Sequence, residues 1–134
     1  MFLLDTNVVS EFRRRKPHGA VLAWLEHLPN EALFIPAIVL GEIQSGIELT
    51  RERDPAKARE IEEWLDALAA TVQIVPADGE VMRCWGRIMH RKAHEQIEDA
   101  IVAATAITRG LTVATRNTRH FKQFGVAVVN PFAN

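Results

Sequence analysis

The chain predicts an α/β domain in which helices cover both faces of a parallel sheet. Three observations carry that reading. Short all-apolar runs recur along the chain: FLL at 2–4, ALFIP at 32–36, VQIVP at 72–76, LTVAT at 111–115 and VAVV at 126–129. Strands that lack alternating polar positions are those buried on both faces, as in parallel sheets. Between them lie segments with apolar residues three and four apart, the period of a helix with one buried side. Finally, 134 residues suffice for one well-buried core and not for two, so residues 1–134 are read as a single domain.

Each element has a local cause. After the first strand, Asp5 and Thr6 can both cap a helix that runs to about Phe12, and the basic stretch 13–17 ends it. Val21, Trp24, Leu25 and Leu28 mark the buried face of a second helix. Pro36 closes the second strand, and Leu40, Ile43 and Ile47 set the register of a helix over 38–50. Pro55 starts the next helix, 55–69, with Ile61, Trp64, Leu65 and Leu68 facing inward. A long helix is expected over 78–94, with Val81, Trp85, Ile88 and Met89 on its inner side. Met82, Trp85 and Met89 would give that helix more apolar surface than one core needs. The segment 97–107 is apolar almost all round after Asp99, the pattern of a fully buried helix, and Gly110 ends it.

Composition narrows the function. Hydrophobic residues make up 48% and charged ones 25%, an ordinary globular balance. With a net charge of −1, any hold on nucleic acid must come from local positive charge. The single cysteine, Cys84, excludes an internal disulfide framework and fits a reducing cytosol. No apolar stretch approaches the roughly 20 residues that span a bilayer, and MFLL lacks the basic leader of a signal peptide, so a soluble cytoplasmic protein with no membrane partner is expected.

The acidic residues fall at informative places. Ligands of an open parallel sheet bind beyond the carboxyl ends of its strands. Asp5 directly follows the first strand, and Thr115, Arg116 and Asn117 follow the fourth. Glu42 sits at the margin of an apolar helix face, and Asp99 at the head of the most apolar helix. Taken singly, Asp5 and Asn117 could be helix caps and Asp99 a partner of the helix dipole. Taken together, three carboxylates at core-facing edges would repel one another unless a hard divalent cation such as Mg²⁺ or Mn²⁺ lay between them.

The stretches LLDTNVVSE at 3–11, IPAIVLGEIQSGI at 35–47, EDAIVAATAI at 98–107, LTVATRNTRHF at 111–121 and VVNPF at 128–132 carry a resemblance. They resemble the PIN-domain ribonucleases, and within them the VapC- and FitB-like toxins of bacterial toxin–antitoxin pairs, from end to end of the chain. The resemblance implies a three-layer α/β/α domain with a parallel sheet of about five strands. It implies a Mg²⁺-dependent endoribonuclease, with Mn²⁺ as a possible substitute. Asp5, Glu42 and Asp99 would be its metal ligands, and Asn117 stands where FitB-like proteins carry a fourth acid. It implies a homodimer, an RNA substrate, and a small antitoxin partner that blocks the site.

Around these residues, Thr6, Asn7 and Thr115 are candidates to hold the acidic side chains in place, and Asn117 to orient a water or contact the phosphate. Arg116 and Arg119 are the candidate contacts to the RNA backbone. Residues 13–16 read as a solvated helix end, and Arg83, Arg87, Arg91 and Lys92 as the polar face of theirs. No histidine is required, and His120 reads as surface or RNA-facing. Two other readings remain. A phosphatase using Asp5 as nucleophile would want a second acid at position 7, which is asparagine. A PIN-like module that binds RNA or protein without cutting would gain nothing from three carboxylates.

Overall fold

The computed structural model describes residues 1–93 and 96–133. Its strands are β1 (Phe2–Leu4), β2 (Leu33–Pro36), β3 (Gln73–Val75), β4 (Thr112–Ala114) and β5 (Val128–Val129). All pair in parallel, in the order β3-β2-β1-β4-β5. The earliest strand therefore lies at the centre, with Leu3 in register with Phe34 on one side and Val113 on the other. Leu3, Leu4, Ile35 and Val113 are wholly buried, which is why these runs carry no alternating polar positions. The chain builds outward from β1 in one direction, then returns to build in the other. Strand order thus reverses between β1 and β4, and the crevice beyond their carboxyl ends is where such a sheet binds ligands.

Helices flank the sheet, as the sequence predicts: α1 (Thr6–Val9), α2 (Gly19–Glu26), α3 (Ala37–Arg53), α4 (Pro55–Thr71), α5 (Gly79–Ile88), α6 (Ile97–Arg109) and α7 (Thr118–Lys122). A single residue, Asp54, joins α3 to α4; its carboxylate caps α4 at the Lys57 amide, 3.1 Å away, and Pro55 opens that helix. The two helices fold back on each other over Ile47, Ala58 and Leu65. A second hairpin, α5 and α6, closes over Val81, Cys84 and Ala104. Helix α6 is buried on nearly every side from Ala100 to Ala106, and the Thr105 hydroxyl satisfies itself by donating to the Ile101 carbonyl at 2.7 Å. Its two ends escape: Glu98 is exposed in the first turn, and Ile107 is 42% exposed in the last.

Two expectations need correction. The helix expected over 78–94 stops at Ile88, because beyond Met89 no large apolar residue remains to bury: His90, Arg91, Lys92 and Ala93 are all exposed, and Arg91 turns the chain with φ of 64°. Residue 94 of that expected helix lies outside the described residues. Its apolar surplus is also smaller than expected, since Trp85 and Met89 pack against the core and only Met82 is exposed, at 37%. The first helix is not one piece either. After Val9 it tightens into a 3₁₀ turn, Ser10–Arg13, which swings Glu11 inward to receive the His18 amide at 2.8 Å. Among the described residues no helix is long and apolar enough to cross a membrane.

Gly110 ends α6 with φ of 66°, and a Cβ there would touch nothing. Its replacement therefore tests backbone strain alone. Gly110→Ala should cost about 1 kcal/mol in urea denaturation, while Gly46→Ala, inside α3 with open space around it, should gain about 0.5–1 kcal/mol. Equal effects at the two positions would contradict the left-handed cap.

Candidate active site

The strand ladder carries Asp5 into the crevice. Its amide donates to the Ala114 carbonyl at 3.0 Å, extending the β1–β4 pairing one residue past the strand, and the side chain is only 6% exposed. One carboxylate oxygen caps α1 by accepting the Thr6 amide at 2.9 Å. The other accepts the Thr115 hydroxyl at 2.8 Å and, more loosely, the Asn7 amide at 3.4 Å. Capping and site assembly are thus both true of Asp5, one oxygen each.

The two turns interlock further. Thr115 is wholly buried; its amide is bound to the Val129 carbonyl at 3.0 Å, and its hydroxyl oxygen accepts the Asn117 amide at 3.0 Å. The Asn7 carbonyl oxygen accepts the Arg116 amide at 3.1 Å. Asn7 and Thr115 therefore hold the Asp-Thr-Asn turn after β1 against the Thr-Arg-Asn turn after β4. Thr6 contributes differently: its hydroxyl is buried without a regular hydrogen bond, and it favours the charged form of Glu42.

The acidic groups feel one another across this crevice. Burial pushes the Asp5 carboxyl above its ordinary value, Thr115 and the Thr6 amide oppose that, and Asp99 adds to it. Glu42, half-buried on α3, is pushed up to about 7, first by burial and then by the charges of Glu98, Asp5 and Asp99. No lysine or arginine pairs with Asp5, Glu42 or Asp99 among the described residues. Nor, among the described residues, do three histidine, cysteine, aspartate or glutamate side chains stand close enough together to hold one metal ion.

Asp99 opens onto a cleft of about 800 Å³ whose other walls are Arg116, Asn117, Thr118, Arg119, His120 and Gln123. Arg116 is fixed there by a stack. Its guanidinium carbon lies 3.8 Å from the centre of the Phe132 ring, and the His18 ring meets that phenyl group edge-on at 5.3 Å. Behind His18 stands Glu11, 4% exposed, which accepts the His18 amide and the Arg14 guanidinium at 2.8 and 3.0 Å.

The family pattern described as PIN domain matches residues 2–127. The chain belongs to the PIN-domain family. It is 36% identical to toxin FitB of Neisseria gonorrhoeae over 139 aligned positions, covering 98% of this chain and 99% of that one. It is 34% identical to the VapC ribonuclease Y4jK of Sinorhizobium fredii, covering 98% of each. Superposed on the crystal structure of FitAcB from Neisseria gonorrhoeae, it gives a TM-score of 0.83 at 35% identity over the full length of both chains.

Within this PIN domain, Asp5, Glu42, Asp99 and their supports Thr6, Asn7 and Thr115 sit about one crevice, and Arg116, Asn117 and Arg119 share its outer wall. Asn117 departs from the cap expected of it. Its carbonyl accepts the His120 and Phe121 amides at the head of α7, but its side chain makes no capping bond. His120, expected at the surface or facing RNA, lines the Asp99 cleft, and its Nε2 lies 2.8 Å from an Asp99 oxygen, a contact the sequence did not show. Sequence reasoning also missed Glu98, Glu11 and Phe132. Glu98 could have been suspected from its adjacency to Asp99; for Phe132 no local signal exists.

The Glu42 shift fixes the sign of a pH effect. Folded Glu42 keeps its proton up to about 7, whereas the unfolded chain releases it near 4.5. The unfolded state binds fewer protons in that window, so stability falls as pH rises through it. Glu42→Gln removes that loss. The variant's advantage over the parent in urea denaturation, with EDTA present, should grow from pH 5 to pH 8. An advantage that is the same at both would contradict the raised Glu42 carboxyl and, with it, the burial and neighbouring charges that raise it.

Proposed function

We propose that this PIN domain is a metal-dependent endoribonuclease that hydrolyses RNA phosphodiester bonds and acts, in the cytoplasm, as the toxin of a toxin–antitoxin pair. The observation that carries the reading is a buried carboxylate, Asp5, at the switch point of the sheet, electrostatically coupled to Glu42 and Asp99 with no lysine or arginine to offset them among the described residues. Such an arrangement is destabilising on its own and fits a site meant for a positive charge. Relatives named VapC ribonuclease and toxin FitB support the activity and the role.

The donors are all oxygens, which suits Mg²⁺ or Mn²⁺. Asp5, Glu42 and Asp99 are the residues that would hold the ion; they would draw closer together than they stand here, with Asp99 giving up His120 to do so. When bound, such an ion lowers the pKa of its water and polarises a phosphoryl oxygen. The rest falls to the protein. Thr115 and the Thr6 amide keep Asp5 ionised and aimed. The Asn117 amide, free of capping duty, contacts the phosphate or orients the attacking water. Arg116, braced by Phe132, and Arg119 hold the flanking backbone. A phosphatase reading is disfavoured, because the second acid that an Asp5 nucleophile would want two residues on is Asn7. The reading extends to a homodimer, and to an antitoxin that silences the cleft.

Purified protein should cleave RNA with Mg²⁺ and stop in excess EDTA. Asp5→Asn and Asp99→Asn should each slow cleavage by at least about 100-fold while leaving the fold intact by circular dichroism. Cleavage that continues in EDTA would sink the metal mechanism, and absence of any cleavage would favour a binding module.

Asn117 leaves the site one negative charge short of a four-acid set. Asn117→Asp should therefore lower the Mg²⁺ concentration for half-maximal cleavage, because affinity in oxygen sites rises with ligand charge. Calorimetric titration and cleavage curves identical to those of the parent would remove Asn117 from the site.

A further inference from the structure

The hairpin of α5 and α6 carries cations that the site above does not use. Arg83, Arg87 and His90 line, with Gly86, a second cleft of about 550 Å³, and exposed Arg91 and Lys92 follow it in the chain. Four other basic side chains are matched: Arg14 to Glu11, Arg51 to Glu48 and Glu62, Lys57 to Glu60, and Arg109 to Asp78 and Glu80. Arg83, Arg87, Arg91 and Lys92 have no such partner among the described residues. No acidic residue occurs in the sequence from 81 to 94, in a chain whose net charge is −1. This charge is therefore concentrated, not average.

Its direction follows from the hairpin. Arg109, at the end of α6, binds Asp78 and Glu80 at the head of α5. Val81 and Cys84 pack on Ala104. The helices therefore run antiparallel, so the far end of α5 lies beside the head of α6, where Asp99 stands. The Gln96 amide then bridges to the Gln123 carbonyl oxygen, 3.3 Å away, on the rim of the Asp99 cleft. Arg83 and Arg87 are one helical turn apart, about 6 Å, and Arg91 and Lys92 follow in the turn after α5.

We propose that Arg83, Arg87, Arg91 and Lys92 form a docking track for the sugar–phosphate backbone of a single RNA strand whose scissile bond lies at Asp5 and Asp99. The inference rests on the ribonuclease reading and adds where the substrate runs. Arginine forks one turn apart suit successive phosphates, which they can grip bidentately without reading sequence. Gly86 leaves the floor of the second cleft bare, so a backbone can come close. The only large apolar side chain exposed on α5 is Met82, too little to anchor a protein partner.

The test uses the full chain and two doubly substituted variants, Arg83→Ala/Arg87→Ala and Arg91→Ala/Lys92→Ala. Binding of a fluorescent single-stranded RNA is measured in EDTA across a salt series. Cleavage is measured on a long RNA and on a short oligonucleotide that fills only the Asp99 cleft. Each variant should reduce the log–log salt slope by about 1.4, near 0.7 per lost phosphate contact. Each should also raise KM for the long RNA about tenfold or more, with kcat and the short-substrate KM unchanged. An unchanged salt slope overturns the track, and so does a parent protein that binds no RNA. A shift in oligomeric state by light scattering, with RNA affinity intact, overturns it in favour of a contact between copies of this chain. A parent that binds RNA with the track-dependent slope and cuts nothing refutes the nuclease reading while the track stands.

Discussion

A hydroxyl–carboxylate bond between Thr115 and Asp5, 2.8 Å long and buried, joins residues 110 positions apart. It ties the end of β1 to the end of β4 at the one place where strand order reverses. Everything in the crevice leans on it. The same Thr115 oxygen receives the Asn117 amide, and Asn7 reaches both partners while its own carbonyl oxygen holds the Arg116 amide. A carboxylate removed from water stays charged only where donors surround it, and here the donors come from the two turns it holds together. Loss of the hydroxyl would loosen both turns and the charge between them.

That charge has a cost which the rest of the fold carries. Burial, with the charges of Glu98, Asp5 and Asp99 added to it, brings Glu42 to about 7. The repulsion is tolerable because the elements bearing it are anchored elsewhere: α3 against α4 through Ile47, Ala58 and Leu65, and α6 by its nearly all-round burial. Among the described residues the side chain that pairs with one of these carboxylates is His120, its Nε2 2.8 Å from an Asp99 oxygen.

The outer wall is built from the two ends of the chain. Phe132 carries the Arg116 guanidinium on its face and meets His18 at its edge, while Glu11 holds the loop that presents His18. Arg116 therefore sits on a shelf rather than waving in solvent, and an arginine so braced loses less freedom when it grips a phosphate. Arg116 and Arg119 stand on the wall of the Asp99 cleft, while Arg83, Arg87 and His90 line a second, separate cleft.

The sequence by itself determined the alternation of buried strands and helices, the position of Asp5 and Thr115 past two strand ends, and the oddity of Glu42 and Asp99. Each is written locally: a strand buried on both faces must be apolar throughout, and an acid on an apolar face is visible wherever it stands. What only the tertiary structure decided depends on which segments meet. The sequence could not bring His120 to Asp99, Glu98 to the neighbourhood of Glu42, or Phe132 beneath Arg116. It also could not show that α5 ends at Ile88, because the helical period of its polar residues continues after the core has run out of surface to cover. Periodicity reports which face of an element is buried. It says nothing about the partner that buries it, and the chemistry of this crevice lies between partners.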